Sequence, residues 1–249
     1  MGTIAVFGGS GRLGEAIVRR LAPDHRVRFT YHSQAEQSAA LVAELMAAGH
    51  DVAASRVDVR DPDAVDAFLA GAEAVDGRIA GVISANGSRF AVYPLHEADF
   101  AEFRRVMELD VYGSFHIMQA ATRRMGATGG GGIVLFLTAA ILRTAAYDGM
   151  SSIPKTAVAG MIRQLARDAG PLNIRCNGVA PGVVDTDKVA DIAALPPYTR
   201  SMVETFMQTT SLQRFNNPDT IAALATFLIS DVAADISGQI IGADGGYSA

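Results

Sequence analysis

Short apolar runs alternate with amphipathic stretches along the whole chain. Seven apolar runs have the length and the flanking turn residues of buried strands, and they cover 3–7, 26–31, 52–57, 79–84, 133–137, 174–180 and 239–243. The stretches of helical length cover about 15–22, 34–48, 62–74, 97–125, 152–169 and 218–229. Strands that alternate with helices are typical of a parallel sheet covered on both faces. We therefore predict an α/β protein with a doubly wound parallel sheet of about seven strands.

The segment 183–212 interrupts this alternation. Pro196 and Pro197 lie within it, and a short helix is predicted around 202–207. A long insertion in a compact domain is often a lid or a binding loop, and a packed surface excursion is the alternative. No repeat, linker or low-complexity tract divides the chain. We predict a single domain over 1–249 with a substrate loop at about 183–212.

Composition narrows the class of protein. The chain is 49% hydrophobic and 19% charged, as in compact globular proteins. The net charge of −5 argues against nucleic acid or an anionic membrane as a partner, and no apolar run approaches a membrane span. The one cysteine, Cys176, excludes an internal disulfide framework and, lying in an apolar run, is expected to be a buried hydrophobe. No basic leader precedes the first strand, so a cytoplasmic protein is expected.

Two other chemistries find no support in the sequence. The five histidines, at positions 25, 32, 50, 96 and 116, lack paired ligand spacing, so we predict no metal site. No G-x-S-x-G elbow is present, which argues against a serine hydrolase.

A glycine-rich turn follows the first predicted strand, in VFGGSGRLGEAIV. Gly8, Gly11 and Gly14 permit a tight turn, backbone approach to a pyrophosphate and close packing of helix on strand. The start of the helix adds partial positive charge where phosphates would lie. This pattern on strand one of an alternating α/β chain predicts a Rossmann-type fold that binds a dinucleotide.

The end of the second strand bears on which dinucleotide is bound. NAD-selective sites usually carry Asp or Glu there to accept the ribose 2′-hydroxyl. Here the strand ends TYHS without an acid, and Arg12, His32 and Ser33 would accept a 2′-phosphate. We predict NADP(H), with a solvated surface charge as the alternative for Arg12.

Several segments in order resemble the short-chain dehydrogenase/reductase family over the whole chain. They are YHSQAEQSAALVAEL with GHDVAASRVDVRD, then CNGVAPGVVDT, then SGQIIGADGGYSA. The resemblance implies a seven-stranded parallel sheet, a homo-oligomer (dimer or tetramer), adenine contacts from an Asp-Val pair, and nicotinamide contacts after strand six. The predicted cofactor-binding residues are Gly8, Ser10, Gly11, Arg12, Leu13, Gly14, His32, Ser33, Asp58, Val59, Asn86, Lys155, Pro181, Gly182, Val184 and Thr186.

The catalytic positions depart from the family pattern. The helix asparagine is replaced by Asp110, the substrate-binding serine by Thr138 and the tyrosine by Ser151, so only Lys155 is unchanged. In the family the lysine holds the nicotinamide ribose and lowers the pKa of the donor. By this resemblance Thr138 orients a carbonyl, with capping of the strand end as the alternative. Asp110 pairs with Lys155, acts as acid or base, or faces solvent or a partner subunit.

The proton donor is therefore the open question. A phenol beside an ammonium group is a far stronger acid than the hydroxyl of Ser151, which is expected to hold a water or merely to cap the helix. Tyr147 is a second candidate, because Tyr147-Asp148-Gly149-Met150 is similar to the Tyr-x-x-Met of enoyl reductases, although an ordinary loop tyrosine is the alternative. Dienoyl-CoA reductases of the superfamily carry serine at the tyrosine position.

These residues favour an NADP(H)-dependent reductase of a small-molecule ketone or conjugated carbonyl with atypical proton delivery. The donor would be Tyr147, a water near Ser151, or the substrate itself. Two alternatives stay open. One is a redox-neutral isomerase, dehydratase or cyclase on the same fold, and the other is a catalytically silent NADP-binding protein.

Overall fold

One parallel sheet organises the computed structural model, which describes residues 2–185 and 191–249. Its strands are β1 Thr3–Phe7, β2 Arg26–Tyr31, β3 Val52–Arg56, β4 Ile79–Ser84, β5 Gly131–Phe136, β6 Ile174–Pro181 and β7 Ile240–Ala243. Their order across the sheet is β3-β2-β1-β4-β5-β6-β7, and every neighbouring pair is parallel. The predicted single-domain α/β fold with seven parallel strands is confirmed.

Helices cover both faces of this sheet because its central strands are apolar on both sides. The helices of the described residues are α1 Arg12–Leu21, α2 Ala35–Ala47, α3 Pro62–Asp76, α4 Phe100–Met107, α5 Gly113–Ala127, α6 Gly149–Asp168, α7 Pro197–Thr209 and α8 Pro218–Ile229. Side chains of α3, α5 and α6 form one core layer, and those of α1, α2 and α8 form the other. Cys176 lies fully buried in the first layer, where burial raises the pKa of its thiol. None of the helices described is long and apolar enough to cross a bilayer.

The order of the strands decides where a ligand can bind. The chain runs outward from β1 through β2 to β3, then returns to β4 on the other side of β1. Loops after β1 and β4 therefore diverge and leave a crevice at the carboxyl ends of these strands. Both cavities described below open at this edge of the sheet.

Three helical segments differ from prediction. The helix expected over 97–125 is divided by a π-helical turn, Glu108–Tyr112, between α4 and α5. Helix α6 begins at Gly149, three residues before the predicted start, so Ser151 lies in its first turn and Asp148 takes the cap position. The short helix in the insertion is a full helix, α7, and Pro197 occupies its first turn. Proline is favoured there because the first N–H groups of a helix have no acceptor within it.

Candidate active site

The glycine-rich turn after β1 has the geometry of a phosphate cradle. Gly8 has a φ of +77°, and Thr30 of β2 holds the turn by accepting the Gly8 N–H on its hydroxyl at 3.1 Å. A Cβ on Gly14 would lie 2.1 Å from the Gly8 carbonyl oxygen, so only glycine allows this packing. Gly11 caps α1 without a side chain, which leaves the first-turn N–H groups of the helix facing outward. The turn fits a pyrophosphate.

A groove of about 420 Å³ extends from this turn across the ends of β2 and β4. The predicted cofactor residues that line it are Gly8, Ser10, Gly11, His32, Ser33, Asp58, Val59 and Asn86. Of the other predicted residues near the turn, Arg12 is exposed at the start of α1 and Leu13 packs on the core, both outside the lining described. The Ser10 hydroxyl donates to the Gln34 side chain at 3.1 Å, which joins the turn to the loop after β2.

An ion pair lies at the end of this groove beside the loops after β2 and β3. Asp58 is the only carboxylate among the described lining residues, and Arg60 binds it through two N–H groups, at 2.6 and 2.9 Å. This ion pair lowers the pKa of Asp58 to about 2. Nε2 of His32 lies 3.7 Å from the same carboxylate. Sequence reasoning did not identify Arg60, although it follows the Asp-Val pair directly.

Lys155 lies between the groove and a second cavity. Its Nζ is 3.5 Å from Oδ2 of Asp110 and donates to the backbone oxygen of Asn86 at 3.4 Å. Asp110 is buried, and its Oδ1 accepts from both the N–H and the hydroxyl of Ser88 at 3.0 Å. The π-helical turn aims Asp110 inward, so the alternative of a solvent-facing Asp110 is wrong. A turn of this type inside an α-helix often marks a functional site.

The second cavity, of about 470 Å³, brings the remaining predicted catalytic residues together. Thr138, Tyr147 and Ser151 all line it. The Thr138 oxygen accepts the Ala140 N–H at 3.3 Å, so Thr138 caps the turn after β5 while its hydroxyl proton is available to a ligand oxygen. Ser151 lies one helical turn before Lys155 on α6. The alternative in which Ser151 caps this helix is wrong, because Asp148 holds that position.

Helix α7 of the insertion after β6 covers this cavity. Phe206 of α7 lines it, and a Cβ on Gly182 would lie 2.2 Å from the Phe206 ring. Tyr147 has a φ of +66°, and its ring lies 4.9 Å from that of Tyr198 on α7. This contact ties the loop before α6 to the insertion. The role of 183–212 as a substrate loop stays a prediction.

The residues predicted to flank a nicotinamide lie around the end of β6. Pro181 ends the strand and Gly182 lines the second cavity. Val184 forms a parallel bridge with Asn216, outside the described lining of both cavities. Thr186 lies outside the described residues. Over residues 2–185 and 191–249, no group of three or more His, Cys, Asp or Glu side chains is arranged to hold a metal ion.

The second cavity also contains residues that sequence reasoning missed. Asp148 is only 8% exposed, and burial raises the pKa of its carboxyl to about 7. Tyr247 of the C-terminal tail lines the cavity beside Arg143, whose guanidinium lies 5.1 Å from the centre of the Tyr247 ring. The sequence did not indicate Asp148, because its burial and the approach of Tyr247 depend on distant segments.

Comparison with known proteins identifies the family. The profile described as "Enoyl-(Acyl carrier protein) reductase" matches residues 10–248. The chain is 33% identical over 244 residues to cis-4-hydroxycyclohexanecarboxylate dehydrogenase of Sinomonas cyclohexanicum, covering 98% of this chain and 95% of that one. It is 32% identical over 258 residues to versicolorin reductase stcU of Emericella nidulans, with the same coverage of 98% and 95%.

Solved structures agree with this assignment. A short-chain type dehydrogenase/reductase from Mycobacterium ulcerans is similar with a TM-score of 0.91 and 27% identity, covering 99% of this chain and 90% of that one. Levodione reductase is similar with a TM-score of 0.90 and 27% identity, covering 99% and 97%. The chain belongs to the short-chain dehydrogenase/reductase family and is an oxidoreductase of that family, whose members bind a nicotinamide cofactor.

Proposed function

We propose that this protein is an NADP(H)-dependent reductase of a small-molecule ketone or conjugated carbonyl, with a proton donor other than the family tyrosine. One observation carries the proposal. Lys155 contacts Asn86, which lines the nucleotide groove, while Ser151, one turn earlier on α6, lines the second cavity beside Thr138. A cofactor in the groove and a carbonyl in the cavity would therefore meet at Lys155.

The charge of the groove supports NADP(H) rather than NAD(H). His32 and Ser33 lie where NAD-selective proteins carry an acid, and both line the groove. Asp58 is neutralised by Arg60, and Arg89 adds positive charge to the described lining, whereas the Arg105 guanidinium is paired with Glu102 at 3.6 Å. A 2′-phosphate would meet cations and hydroxyl donors rather than a free carboxylate.

Each residue of the site would have a separate role in the reaction. The bound reduced cofactor would supply hydride to the carbonyl carbon. Lys155 would hold the cofactor ribose, and the Asp110 carboxylate would hold Lys155 in place. The Thr138 hydroxyl would donate to the substrate oxygen and orient it. Tyr147, a water held at Ser151 or the substrate itself are the donors that the sequence suggests.

Titration calorimetry with NADPH and NADH tests the cofactor. We expect NADPH to bind more tightly, and Ser33→Asp to shift the ratio of the two affinities toward NADH by about tenfold or more, or about 1.4 kcal/mol. The shift is expected because a carboxylate there repels a 2′-phosphate and accepts a 2′-hydroxyl. Ser33→Ala, which removes a donor without adding charge, is the matched control. Absence of binding for both nucleotides would refute the proposal.

A further inference from the structure

Asp148 is a buried carboxylic acid in the wall of the substrate cavity. It precedes α6 directly and is 8% exposed. Thr138, Tyr147 and Ser151 line the same cavity. The N-cap and the third residue of a helix have side chains within reach of each other, so the Asp148 carboxyl and the Ser151 hydroxyl face the same space.

The carboxyl of Asp148 does not cap its helix, unlike the side chains of four other polar cap residues. The side chains of Asp61, Asp99, Asp191 and Asn217 each accept a backbone N–H from their own helix. In those four residues ψ lies between 91° and 126°, whereas in Asp148 it is 23°. The Asp148 side chain accepts no such bond, and it has no hydrogen-bond or ion-pair partner among the residues that the structure describes. A buried carboxyl without a partner is available to a ligand.

Burial of Asp148 favours its protonated form over the carboxylate. Burial is the cause that raises its pKa to about 7. The titratable groups around it are Tyr147 beside it, Tyr247 of the tail and Arg143 of the loop after β5, while α7 adds none among the described lining residues. Arg143 donates to the Tyr247 backbone oxygen at 2.8 Å and makes no described ion pair with Asp148. An acid that titrates near neutral pH suits general acid catalysis.

We propose that Asp148, in its protonated form, is the catalytic acid of this reductase, an inference that rests on the proposed function. The carbonyl carbon accepts a hydride, for which the reduced nicotinamide cofactor is the reductant. The carbonyl oxygen accepts the proton of Asp148 as the C=O π bond breaks, which gives the alcohol. Asp148 is left as a carboxylate and regains its proton from water. Ser151 is not the proton donor, because a serine hydroxyl is too weak an acid. Its role is to orient the substrate oxygen and the Asp148 carboxyl for the proton transfer.

The first test needs no cofactor. Infrared difference spectra between the wild type and Asp148→Asn, recorded over a pH series, isolate the C=O stretch of this one protonated carboxyl. We expect the band to disappear with a midpoint near pH 7. A midpoint near the ordinary value of 3.8 would overturn the proposal.

The second test measures NADPH oxidation with a panel of ketones and enones. Asp148→Asn should lower kcat by about 10² to 10⁴, the usual contribution of general acid catalysis, with NADPH affinity unchanged and partial recovery in Asp148→Glu. Asp61→Asn, the same change at an exposed helix cap, is the matched control. Full turnover in Asp148→Asn, or a loss found only in Tyr147→Phe, would overturn this inference alone. A wild type that reduces no carbonyl despite a normal infrared band would overturn the proposed function and the donor role with it.

Discussion

The buried carboxyl of Asp148 should make the stability of this protein depend on pH, and Asp148→Asn should remove that dependence. Below its unfolded pKa of about 3.8, Asp148 is protonated in both the folded and unfolded chain and has no effect. Between that value and about pH 7, the folded chain keeps a proton that the unfolded chain has lost. The free energy of unfolding therefore falls as the pH rises through this window. Above it, both states carry the charge and the loss is complete.

The size of the effect follows from the two pKa values. A rise from 3.8 to about 7, at about 1.36 kcal/mol for each pH unit, corresponds to roughly 4 kcal/mol of stability lost across the window. About 3 kcal/mol of this falls between pH 5 and pH 8. Asparagine has nearly the same shape as aspartate and does not ionise, so the stability of Asp148→Asn does not fall for this reason. The free energy of unfolding of the variant should therefore increase relative to that of the wild type as the pH rises.

Urea unfolding of both proteins at one fixed concentration, repeated from about pH 5 to pH 8, measures this difference. Other titrating groups are common to the two proteins and cancel in the comparison. We expect the stability of Asp148→Asn relative to the wild type to increase steadily and to level off above pH 7. A difference that is constant with pH, or that changes in the opposite direction, would show that Asp148 is not buried in a proton-retaining site.

Two further predictions concern the nucleotide turn and the buried ion pair. Gly14→Ala should destabilise the protein by about 1–3 kcal/mol because its Cβ would lie 2.1 Å from a backbone oxygen, whereas Gly71→Ala, in open space on α3, should stabilise it by about 1 kcal/mol. Thermal unfolding compares the stability of the two variants. A Gly14→Ala variant more stable than the wild type would contradict the close approach of Gly14 to the Gly8 carbonyl oxygen. Lys155→Met should cost about 3–5 kcal/mol because it leaves Asp110 charged and buried without its cation, and adding Asp110→Asn should recover part of this loss. Urea unfolding of the single and double variants measures these losses of stability. Equal losses in both would show that Lys155 does not stabilise the protein through Asp110.

The sequence predicted the architecture because its signals are local. Apolar runs, turn residues and the glycine turn each specify conformation within a few neighbouring residues. All seven strands lie where these patterns indicated, with ends that agree to within two residues. The geometry of the glycine-rich turn was predictable for the same reason, because glycine spacing reflects steric demands at one short segment, and its role as a nucleotide site stays a prediction.

Boundaries inside long helical segments were less predictable. Nothing local indicated the π-helical turn at Glu108–Tyr112, which depends on Asp110 reaching Ser88 and Lys155 from other elements. The early start of α6 likewise depends on how the preceding loop packs, with Asp148 buried in the wall of the cavity that Tyr247 also lines.

By itself, the sequence determined the class of fold and the position of the glycine-rich turn after β1. Only the tertiary structure decided which acidic side chains are buried and which of them have partners. Asp110 and Asp148 are both buried aspartates, yet one is paired with Lys155 and the other has a raised pKa. The reason is physical: the charge state of a buried carboxyl depends on desolvation and on groups within a few ångström, and folding brings those groups together from distant parts of the chain.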